Sequence, residues 1–550
     1  MNSNDSNSAT TDASPQSSKP PPDDAVVASQ LQKTQQEIDD QTDKLKSKIY
    51  ASRPIFGRII KKHGAKSLYD YSKEFFDINK DLRLESRRPV CLHVIYETVK
   101  KRLGKKIASE VERQLLRRPM VNTTDHHAII GHPFFLNTNI ITALPYPEMK
   151  RRSLKYLVTF SFASVSLNNA SGFARGFLFH GGDQGEGPLI RLPLLPDKWK
   201  MRPVYGTPAY TRDDLAHARK QLMNKQKEGL LTARRARLFD EQVLGVLEQA
   251  EILNSEDFSE QISKINFQLW PKYFNSNGSK IPDLIYIEAE SMTREILTKE
   301  ILKESTCLLY KMLFDPTVRE LFLKYFEGLP GTFSKDNGWG TYFFWGFDEK
   351  QHRIRLDVEN GKLLSKAKGY EIQLEPEALS QALEKKEIFP SMMTIYLTLS
   401  LHYGFKCLGG FSQVHDLTKM KEALLHVLVD LGRFREIHSV CRIQTKELSG
   451  DGLVLSYIEN EKKQLVPAMG LDLLLSEKKL SYDDYISLSK QVTLEEMMAP
   501  LVPEIYTVLY PSYLRTGGPE ESLQPEEIMR ATGLQTKMDN LFHTIYNTTN

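Results

Sequence analysis

The stretch that decides the fold class is Tyr156-Leu-Val-Thr-Phe-Ser-Phe-Ala-Ser-Val-Ser-Leu167. It is rich in β-branched and aromatic residues and partly alternates between apolar and polar positions, as a strand does. Two shorter runs, Gly176-Phe-Leu-Phe179 and Leu284-Ile-Tyr-Ile-Glu288, predict further strands, and the second is apolar enough for the interior of a sheet. Strands therefore begin near residue 155.

Helical periodicity dominates on both sides of this region. Thr211 and Asp214 also form a capping-box pattern, which predicts the start of a long helical region between two of the strands. The sequence therefore predicts a helix-rich α+β or α/β fold. Its central strands lie around 155–360, and its N- and C-terminal regions are helical.

A chain of 550 residues is long enough for two to four cores, or for one large core with insertions. We divide it into a disordered tail (1–24), a helical N-terminal region (25–120), a mixed α/β core with the candidate site (121–360) and a mainly helical C-terminal region (361–550). The tail consists largely of Ser, Asn, Asp, Thr and Pro, which bury too little apolar surface to offset the entropy of ordering.

Leu31, Ile38 and Leu45 are spaced seven residues apart after this tail. That spacing is typical of a coiled coil, so a short arm that joins two copies of the chain is one interpretation. Gln35 and Thr42 lie between these residues and are polar. A solvated helix that packs on its own domain is therefore the alternative.

The bulk composition restricts partners and location. The chain has 73 basic and 70 acidic residues, a near-balance that argues against a nucleic-acid partner held by bulk electrostatics. Its four cysteines contain no CxxC pair, which favours a reducing compartment over a disulfide framework. We find neither a secretory signal nor a run of about 18 apolar residues that would span a membrane. The expected location is the cytoplasm.

The most unusual stretch is Thr123-Thr-Asp-His-His-Ala-Ile-Ile-Gly-His-Pro-Phe-Phe-Leu-Asn-Thr-Asn139. Imidazole and carboxylate groups are the usual ligands of zinc, iron and manganese, and histidine suits proton transfer near neutral pH. We therefore predict catalytic roles for His126 and His127. The alternative is that a histidine here caps a turn or bonds a carbonyl. The predicted ligands of a divalent metal are Asp125, His126, His132 and His180.

Asp125-His126-His127 resembles the signature of the DHH phosphoesterases, which bind manganese. The resemblance covers these three residues only. That family also needs aspartates at the ends of earlier strands, whereas the hundred residues before Asp125 have a helical pattern. The triplet therefore assigns no family to the chain.

A second polar cluster follows the predicted strands and includes Leu167-Asn-Asn-Ala-Ser-Gly172, Arg175 and His180-Gly-Gly-Asp-Gln-Gly-Glu-Gly187. Polar groups at strand ends, with glycines that let the backbone approach a ligand, are typical of sites in α/β proteins. We predict that Arg175 binds a carboxylate or phosphate and that His180 acts as an acid, a base or a ligand. A hairpin loop with ordinary turn geometry is the alternative.

Two further stretches have both a structural and a functional interpretation. The aromatic segment Gly331–Phe347 ends in a predicted strand, Thr341–Phe347, that forms a hairpin with Arg353–Leu356. The rings of the segment would form core or the wall of a pocket. Gly409 and Gly410 precede a helix predicted to begin near Asp416. They would bind the phosphate of a cofactor, or form a tight turn between helices.

These observations predict an enzyme with a site built from histidine and carboxylate groups. It would act on a small polar or anionic substrate, with metal-dependent hydrolysis or an oxygen-dependent reaction if a zinc, iron or manganese ion binds. One alternative is a non-catalytic binding or scaffold protein that uses the aromatic segment and the helical arm. The other is a group transferase with a phosphate-bearing donor at Gly409 and Gly410.

Overall fold

The computed structural model describes residues 24–149, 154–365, 369–462, 464–477 and 479–547, with side chains from residue 34 to residue 540. The predicted tail lies outside the described residues except for Asp24, at which the first helix begins.

Sixteen strands are present in the described part of the chain. They are β1 (Met120–Asn122), β2 (Tyr156–Ser161), β3 (Gly176–His180), β4 (Leu189–Pro193), β5 (Asp283–Glu288), β6 (Phe333–Ser334), β7 (Trp339–Gly340), β8 (Phe344–Phe347), β9 (Arg353–Arg355), β10 (Asp357–Glu359), β11 (Lys362–Ser365), β12 (Tyr370–Gln373), β13 (Ile388–Pro390), β14 (Lys406–Leu408), β15 (Tyr457–Glu459) and β16 (Leu465–Pro467).

The described α-helices surround these strands, and none of them is long and apolar enough to cross a membrane. They are α1 (Asp24–Ser52), α2 (Pro54–His63), α3 (Leu68–Lys73), α4 (Leu82–Leu103), α5 (Lys105–Arg117), α6 (Pro133–Ala143), α7 (Arg212–Lys227), α8 (Ala233–Phe239), α9 (Gly245–Leu247), α10 (Ala250–Leu253), α11 (Phe258–Leu269), α12 (Ala289–Lys299), α13 (Leu308–Phe314), α14 (Pro316–Phe326), α15 (Pro376–Glu384), α16 (Met392–Tyr396), α17 (Phe411–Asp430), α18 (Phe434–Arg442), α19 (Gly470–Leu475), α20 (Tyr482–Gln491), α21 (Leu494–Met498), α22 (Val502–Leu509), α23 (Pro525–Ala531) and α24 (Leu534–Asn547).

The largest sheet has four parallel strands in the order β14-β1-β2-β5. β2 and β5 pair along their whole length, from Tyr156 opposite Asp283 to Ser161 opposite Glu288. β1 pairs with β14 over three residues, from Met120 opposite Lys406 to Asn122 opposite Leu408. β1 begins at Met120, the last residue of the predicted N-terminal region, and β14 lies in the predicted C-terminal region. Both regions that flank the predicted core therefore contribute to its sheet.

Successive residues of the central strands point to opposite faces of the sheet, and both faces are buried. Leu157 and Tyr286 belong to one hydrophobic cluster, together with the apolar residues of α6 and α11. Phe160 and Ile287 belong to the other, together with those of α4, α12 and α16. A parallel sheet covered by helices on both faces is a doubly wound α/β arrangement, which confirms the predicted fold class.

The order of strands reverses beside β1. From β1 the chain passes through α6 to β2 on one side of it, and β5 follows beyond β2. The chain then returns, after α12 to α16, to add β14 on the other side of β1. In doubly wound sheets, ligands bind outside the carboxyl ends of the strands at such a reversal. The carboxyl ends of β14 and β1 therefore define where a site is expected.

Most predicted elements are confirmed. β2, β3 and β5 lie where the sequence places strands, and Thr211 and Asp214 form the capping box that begins α7. The hairpin is present as β8 paired with β9. The helix after Gly410 begins at Phe411 rather than near Asp416. β1 and β14 were not predicted, because three residues are too few to show strand alternation.

The aromatic segment and the predicted arm both pack within the chain. Tyr342, Phe343 and Phe344 are buried, whereas Trp339 is 37% exposed. Leu45 of α1 is buried in the same hydrophobic cluster as α6, and α1 contacts α2, α22 and α23. This part of α1 therefore packs on its own domain, as the second interpretation of the heptad spacing predicts.

Truncating the fully buried Phe160 to alanine is expected to lower the free energy of unfolding by about 3–5 kcal/mol, because it removes ring contacts and leaves a cavity in the central strand. Phe434→Ala is the matched control. Its ring is 73% exposed, so the expected change is within about 0.5 kcal/mol. Urea unfolding followed by circular dichroism measures both, and equal losses would contradict the assignment of Phe160 to the core.

Candidate active site at the carboxyl edge of the sheet

The loop that follows β1 carries Asp125 and His126 along the carboxyl edge of the sheet. Beyond the last paired residues of β1 and β2, this loop still pairs with the chain that follows β2. The Phe162 N–H donates to the Asp125 carbonyl, and the His127 N–H donates to the Phe162 carbonyl, each at 2.8 Å. Because both sides of His126 are held, the backbone of this loop is fixed.

Asp125 is fully buried. Its Oδ2 accepts a hydrogen bond from Asn139 Nδ2 at 2.9 Å, but among the described residues its Oδ1 has no hydrogen-bond partner of good geometry. The Tyr286 hydroxyl donates to the His126 carbonyl at 2.8 Å, and it also lies near the Asp125 carboxyl, whose pKa it lowers. Burial raises the pKa of Asp125 well above its usual range, and the charge of Asp451 adds to the rise. The side chain therefore favours its protonated form.

Asn139, on α6, fixes the position of this carboxyl. Its Nδ2 donates to Asp125 and to the Phe135 carbonyl, at 2.9 and 2.8 Å. Its Oδ1 accepts from Asn122 Nδ2 at 3.0 Å and from Thr159 Oγ1 at 2.7 Å. All four hydrogen-bonding positions of the amide are used, so α6, β1 and β2 are locked to one another beneath Asp125.

A second carboxyl reaches this edge from the loop after α18. The Ser449 N–H donates to the Gly409 carbonyl at 2.8 Å, which holds the loop against the end of β14. Asp451 has a φ of 31°, in the left-handed region that aspartate tolerates better than most residues. Burial raises its pKa to about 7, and the charge of Glu504 contributes to the rise. The sequence analysis did not identify Asp451, because nothing near it in the chain marks it.

The two carboxyls interact, since the charge of Asp451 raises the pKa of Asp125. Neither has a lysine or arginine partner within the described residues. Two nearby carboxyls without a counter-ion do not ionise together, so the pair keeps a proton near neutral pH. A carboxyl that titrates near pH 7 suits general acid–base catalysis.

His126 lies farther along the same loop, and its hydrogen bonds define its tautomer. Its Nδ1 is 3.1 Å from Asn169 Oδ1, an oxygen that also accepts from the backbone N–H groups of Ser171 and Gly172. Nδ1 therefore carries the proton, and Nε2 is left as an acceptor with no partner among the described residues. The contact brings the predicted cluster at 167–172 to the first histidine cluster.

His132 lies beside His126. The two rings pack against Phe135, with centroid distances of 5.4 and 5.0 Å. Burial lowers the pKa of each histidine to about 4, so both are neutral at pH 7. His132 Nδ1 also accepts a hydrogen bond from the Phe134 N–H at 3.3 Å and caps the amino end of α6. His132 therefore has a structural contact in addition to its position near His126.

His127 points into the core instead. It is fully buried, its Nδ1 is 2.7 Å from Ser161 Oγ, and its Nε2 is 3.0 Å from Ser259 Oγ. Its ring stacks on Tyr286 at a centroid distance of 5.5 Å. Both ring nitrogens are satisfied, so the geometry favours a structural role over the catalytic role predicted for this residue.

Several polar atoms near the carboxyl edge have no hydrogen-bond partner among the described residues. They are Thr124 Oγ1, Gln413 Oε1 and Ser449 Oγ. Gln413 Nε2 donates to Thr123 Oγ1 at 2.7 Å, which places its amide next to the end of β1. Buried polar groups normally have partners, so unpaired ones indicate a place where water or a polar ligand completes the bonding.

His180 and Arg175 are held by other partners. His180 Nδ1 lies 2.6 Å from Asp472 Oδ2, and Arg235 Nη2 donates to Asp472 Oδ1 at 3.0 Å. Arg175 forms an ion pair with Asp197 at 2.6 Å. In the described part of the chain, neither His180 nor Arg175 forms a hydrogen bond or ion pair with Asp125 or His126. The structure thus brings His126 and His132 against the same ring, Phe135, and gives His180 and Arg175 separate surroundings.

The two glycines after β14 have steric reasons to be glycine. A Cβ at Gly409 would lie 1.9 Å from the Gln413 side chain, and one at Gly410 would lie 2.0 Å from the Asp451 carboxylate. Asp451 thus lies against the amino end of α17, where a cofactor phosphate would be expected. Phosphate binding by Gly409 and Gly410 stays a prediction, and close packing accounts for both residues.

In the part of the chain that the structure describes, no group of three or more His, Cys, Asp or Glu side chains is placed to hold a metal ion. Of the predicted donors, His126 and His132 lie near each other, and His132 Nδ1 is already used by the cap of α6. The divalent metal therefore stays a prediction, for which these donors are the starting point.

His127→Gln is expected to reduce the loss of stability in acid. Burial holds the pKa of His127 at about 3, against 6.5 for an unperturbed histidine. The unfolded chain therefore binds a proton below pH 6.5 that the folded chain does not. The contribution of the neutral His127 side chain to stability is fully present above pH 6.5. It is lost as the pH falls toward 3, by about 1.4 kcal/mol per pH unit.

The measurement compares urea unfolding at pH 7 and pH 5 for the wild type, His127→Gln and the exposed control His217→Gln. His127→Gln should lose about 2 kcal/mol less between the two pH values than the other two proteins. An identical loss in all three would show that His127 is protonated readily in the folded state.

Asp451→Asn is expected to stabilise the protein at pH 8. The pKa of Asp451 is raised from 3.8 to about 7, so the folded state resists ionisation that the unfolded chain accepts. The contribution of the protonated Asp451 side chain to stability is fully present below pH 3.8 and is lost as the pH rises through 7. Because the side chain is partly exposed, we expect a gain of about 1–2 kcal/mol for the amide at pH 8, and little gain at pH 4.

Asparagine also tolerates the left-handed φ of residue 451, so the substitution isolates the charge. Asp336→Asn, at an exposed turn, is the matched control and should change stability little at either pH. Melting temperatures from pH 4 to pH 8 test the prediction, which fails if Asp451→Asn is no more stable than the wild type at pH 8.

Comparison with known proteins adds no functional assignment to this geometry. No family model matches the chain, and no curated protein sequence matches it.

Proposed function

We propose that the protein is an enzyme that acts on a small polar or anionic substrate at the carboxyl ends of β14 and β1, by acid–base chemistry of Asp125 and Asp451. One observation carries the proposal. Asp125 is wholly buried at the strand-order reversal, one of its oxygens has no hydrogen bond of good geometry among the described residues, and a second carboxyl lies close enough to raise its pKa. An unpaired buried carboxyl oxygen costs about 1–3 kcal/mol, which favours a role in binding or catalysis.

The two carboxyls have different parts in this proposal. Asp451, with a pKa of about 7, accepts a proton from a water molecule or a substrate hydroxyl. Asp125, which is protonated at that pH, donates to the oxygen on which negative charge develops. In hydrolysis, the water oxygen attacks the substrate carbon or phosphorus, and the leaving group departs with a proton from the pair.

The surroundings suit a substrate with polar or negative groups. α12 follows β5 and α17 follows β14, so the amino ends of both helices lie at this edge. Helix amino ends carry partial positive charge, but Glu288 already caps α12 and Asp451 lies against the amino end of α17, so only part of that charge is left for a substrate. Neutral His126, with Nε2 as acceptor, supplies a hydrogen-bond position for a substrate hydroxyl or amide.

The structure favours this function over the two alternatives from the sequence. Tyr342, Phe343 and Phe344 are buried, so a scaffold protein would have few rings of the aromatic segment to present. A phosphate-bearing donor at Gly410 would meet the Asp451 carboxyl. Dependence on zinc, iron or manganese remains part of the proposal as a variant, in which Asp125, His126 and His132 supply donors.

The test begins with a thermal-shift screen of the wild type against small polar and anionic metabolites, with metal analysis of the purified protein. A ligand that raises the melting temperature is then assayed for turnover. Asp125→Asn should lower kcat by about 10²–10⁴ with little change in KM, because it removes the proton donor and keeps the shape of the side chain.

Asp336→Asn serves as the control and should leave kcat unchanged. The double variant Asp125→Asn/Asp451→Asn should be hardly slower than Asp125→Asn, because the carboxyls act as a unit. Full turnover by Asp125→Asn would refute the acid–base proposal. Near-stoichiometric metal that is lost in His126→Ala/His132→Ala would instead support the metal-dependent variant.

A further inference from the structure

A basic groove runs along α5 at the opposite, amino edge of the sheet. A cavity of about 550 Å³ is lined by Lys106 and Glu110 of α5, by Tyr156 at the start of β2 and by Asp283 at the start of β5. A second cavity of about 150 Å³ adjoins it and shares Glu110 and Tyr156. β2 spans about 20 Å, so this groove is separate from the carboxyl edge.

One face of α5 forms a wall of the whole groove. Lys106 and Glu110 line the larger cavity, and Glu110, Arg113 and Arg117 line the smaller one. These positions are three or four residues apart and share a helix face. Because α5 has 13 residues, the wall is about 20 Å long.

The groove concentrates positive charge. The two linings hold six basic and two acidic side chains, whereas the whole chain has a net charge of only +3. Lys155 pairs with Glu110 at 3.1 Å, and Lys280 pairs with Asp283 at 2.8 Å. Among the described residues Lys106 and Arg117 have no ion-pair partner. The acids present therefore neutralise only part of the positive charge.

The amino end of α5 adds to this charge. Its N-cap residue is Gly104, no side chain caps the first turn, and the first turn contains no acidic residue. The partial positive charge of this helix end therefore adds to that of the nearby lysine. Lys106, in that turn, lines the larger cavity.

The two cavities differ in character. The larger one includes the apolar side chains of Ile107, Leu154 and Ile281, whereas the smaller one includes the guanidinium groups of Arg113 and Arg117. Guanidinium groups bind phosphate through paired N–H donors. A volume of several hundred Å³ suits a small molecule rather than a macromolecule. The complementary ligand has an apolar or planar body and a phosphate tail.

We propose that the groove along α5 binds a small phosphorylated molecule of the nucleotide class, with its planar body in the larger cavity and its phosphates against Arg113 and Arg117. The site shares no lining residue with the carboxyl-edge site. It is therefore independent of the proposed acid–base chemistry.

Isothermal titration of the full chain with ATP, adenosine and inorganic tripolyphosphate tests the proposal. ATP should bind more tightly than either of its parts, because it fills both cavities. Arg113→Gln/Arg117→Gln should weaken ATP binding by about tenfold or more and leave adenosine binding unchanged, since each arginine contributes to phosphate binding only.

Lys220→Gln/Lys227→Gln, on the exposed face of α7, removes the same charge elsewhere and should leave ATP binding unchanged. Three results would overturn the proposal. The first is that ATP shows no saturable binding at millimolar concentration. The second is that the two double variants lose the same ATP affinity. The third is that tripolyphosphate binds as tightly as ATP. The last two would indicate general attraction to a basic protein.

Discussion

The amide of Asn139 holds the candidate site together. It joins the end of β1 through Asn122, the middle of β2 through Thr159 and the carboxyl of Asp125. Such a network is stable only if every member is satisfied, because an unpaired polar group is costly at low dielectric. In this network, among the described residues, Asp125 Oδ1 has no hydrogen bond of good geometry. The position of that atom is therefore set by three elements of the fold.

The pairing of β1 with β14 completes the arrangement. It covers three residues, yet it joins segments 285 residues apart, as shown by the contact of Thr123 with the Leu408 carbonyl. Gly409 helps to hold the loop that carries Asp451 at this edge, because its carbonyl accepts from the Ser449 N–H. Two carboxyls that are distant in the chain thus come near enough for the charge of Asp451 to raise the pKa of Asp125, in a place that neither segment defines alone.

The sequence predicted the fold class and most of the elements, because long apolar periodicities reflect burial directly. β2 and α7 are examples. It also marked Asp125 and His126, since clustered histidines are rare. It could not identify Asp451, whose neighbours are ordinary and whose pKa depends on burial and on the charge of Glu504. Nor could it separate His126 from His127, because the direction of each side chain depends on pairing with the chain after β2.

The contact between Gly410 and Asp451 also constrains how this protein can vary. A side chain at residue 410 would occupy the space of the carboxylate, so residue 451 would have to shrink or move. The left-handed backbone of residue 451 limits its replacements further, mainly to asparagine and glycine. Related sequences should therefore substitute these two positions together or not at all, and such covariation would be visible in an alignment without any knowledge of the substrate.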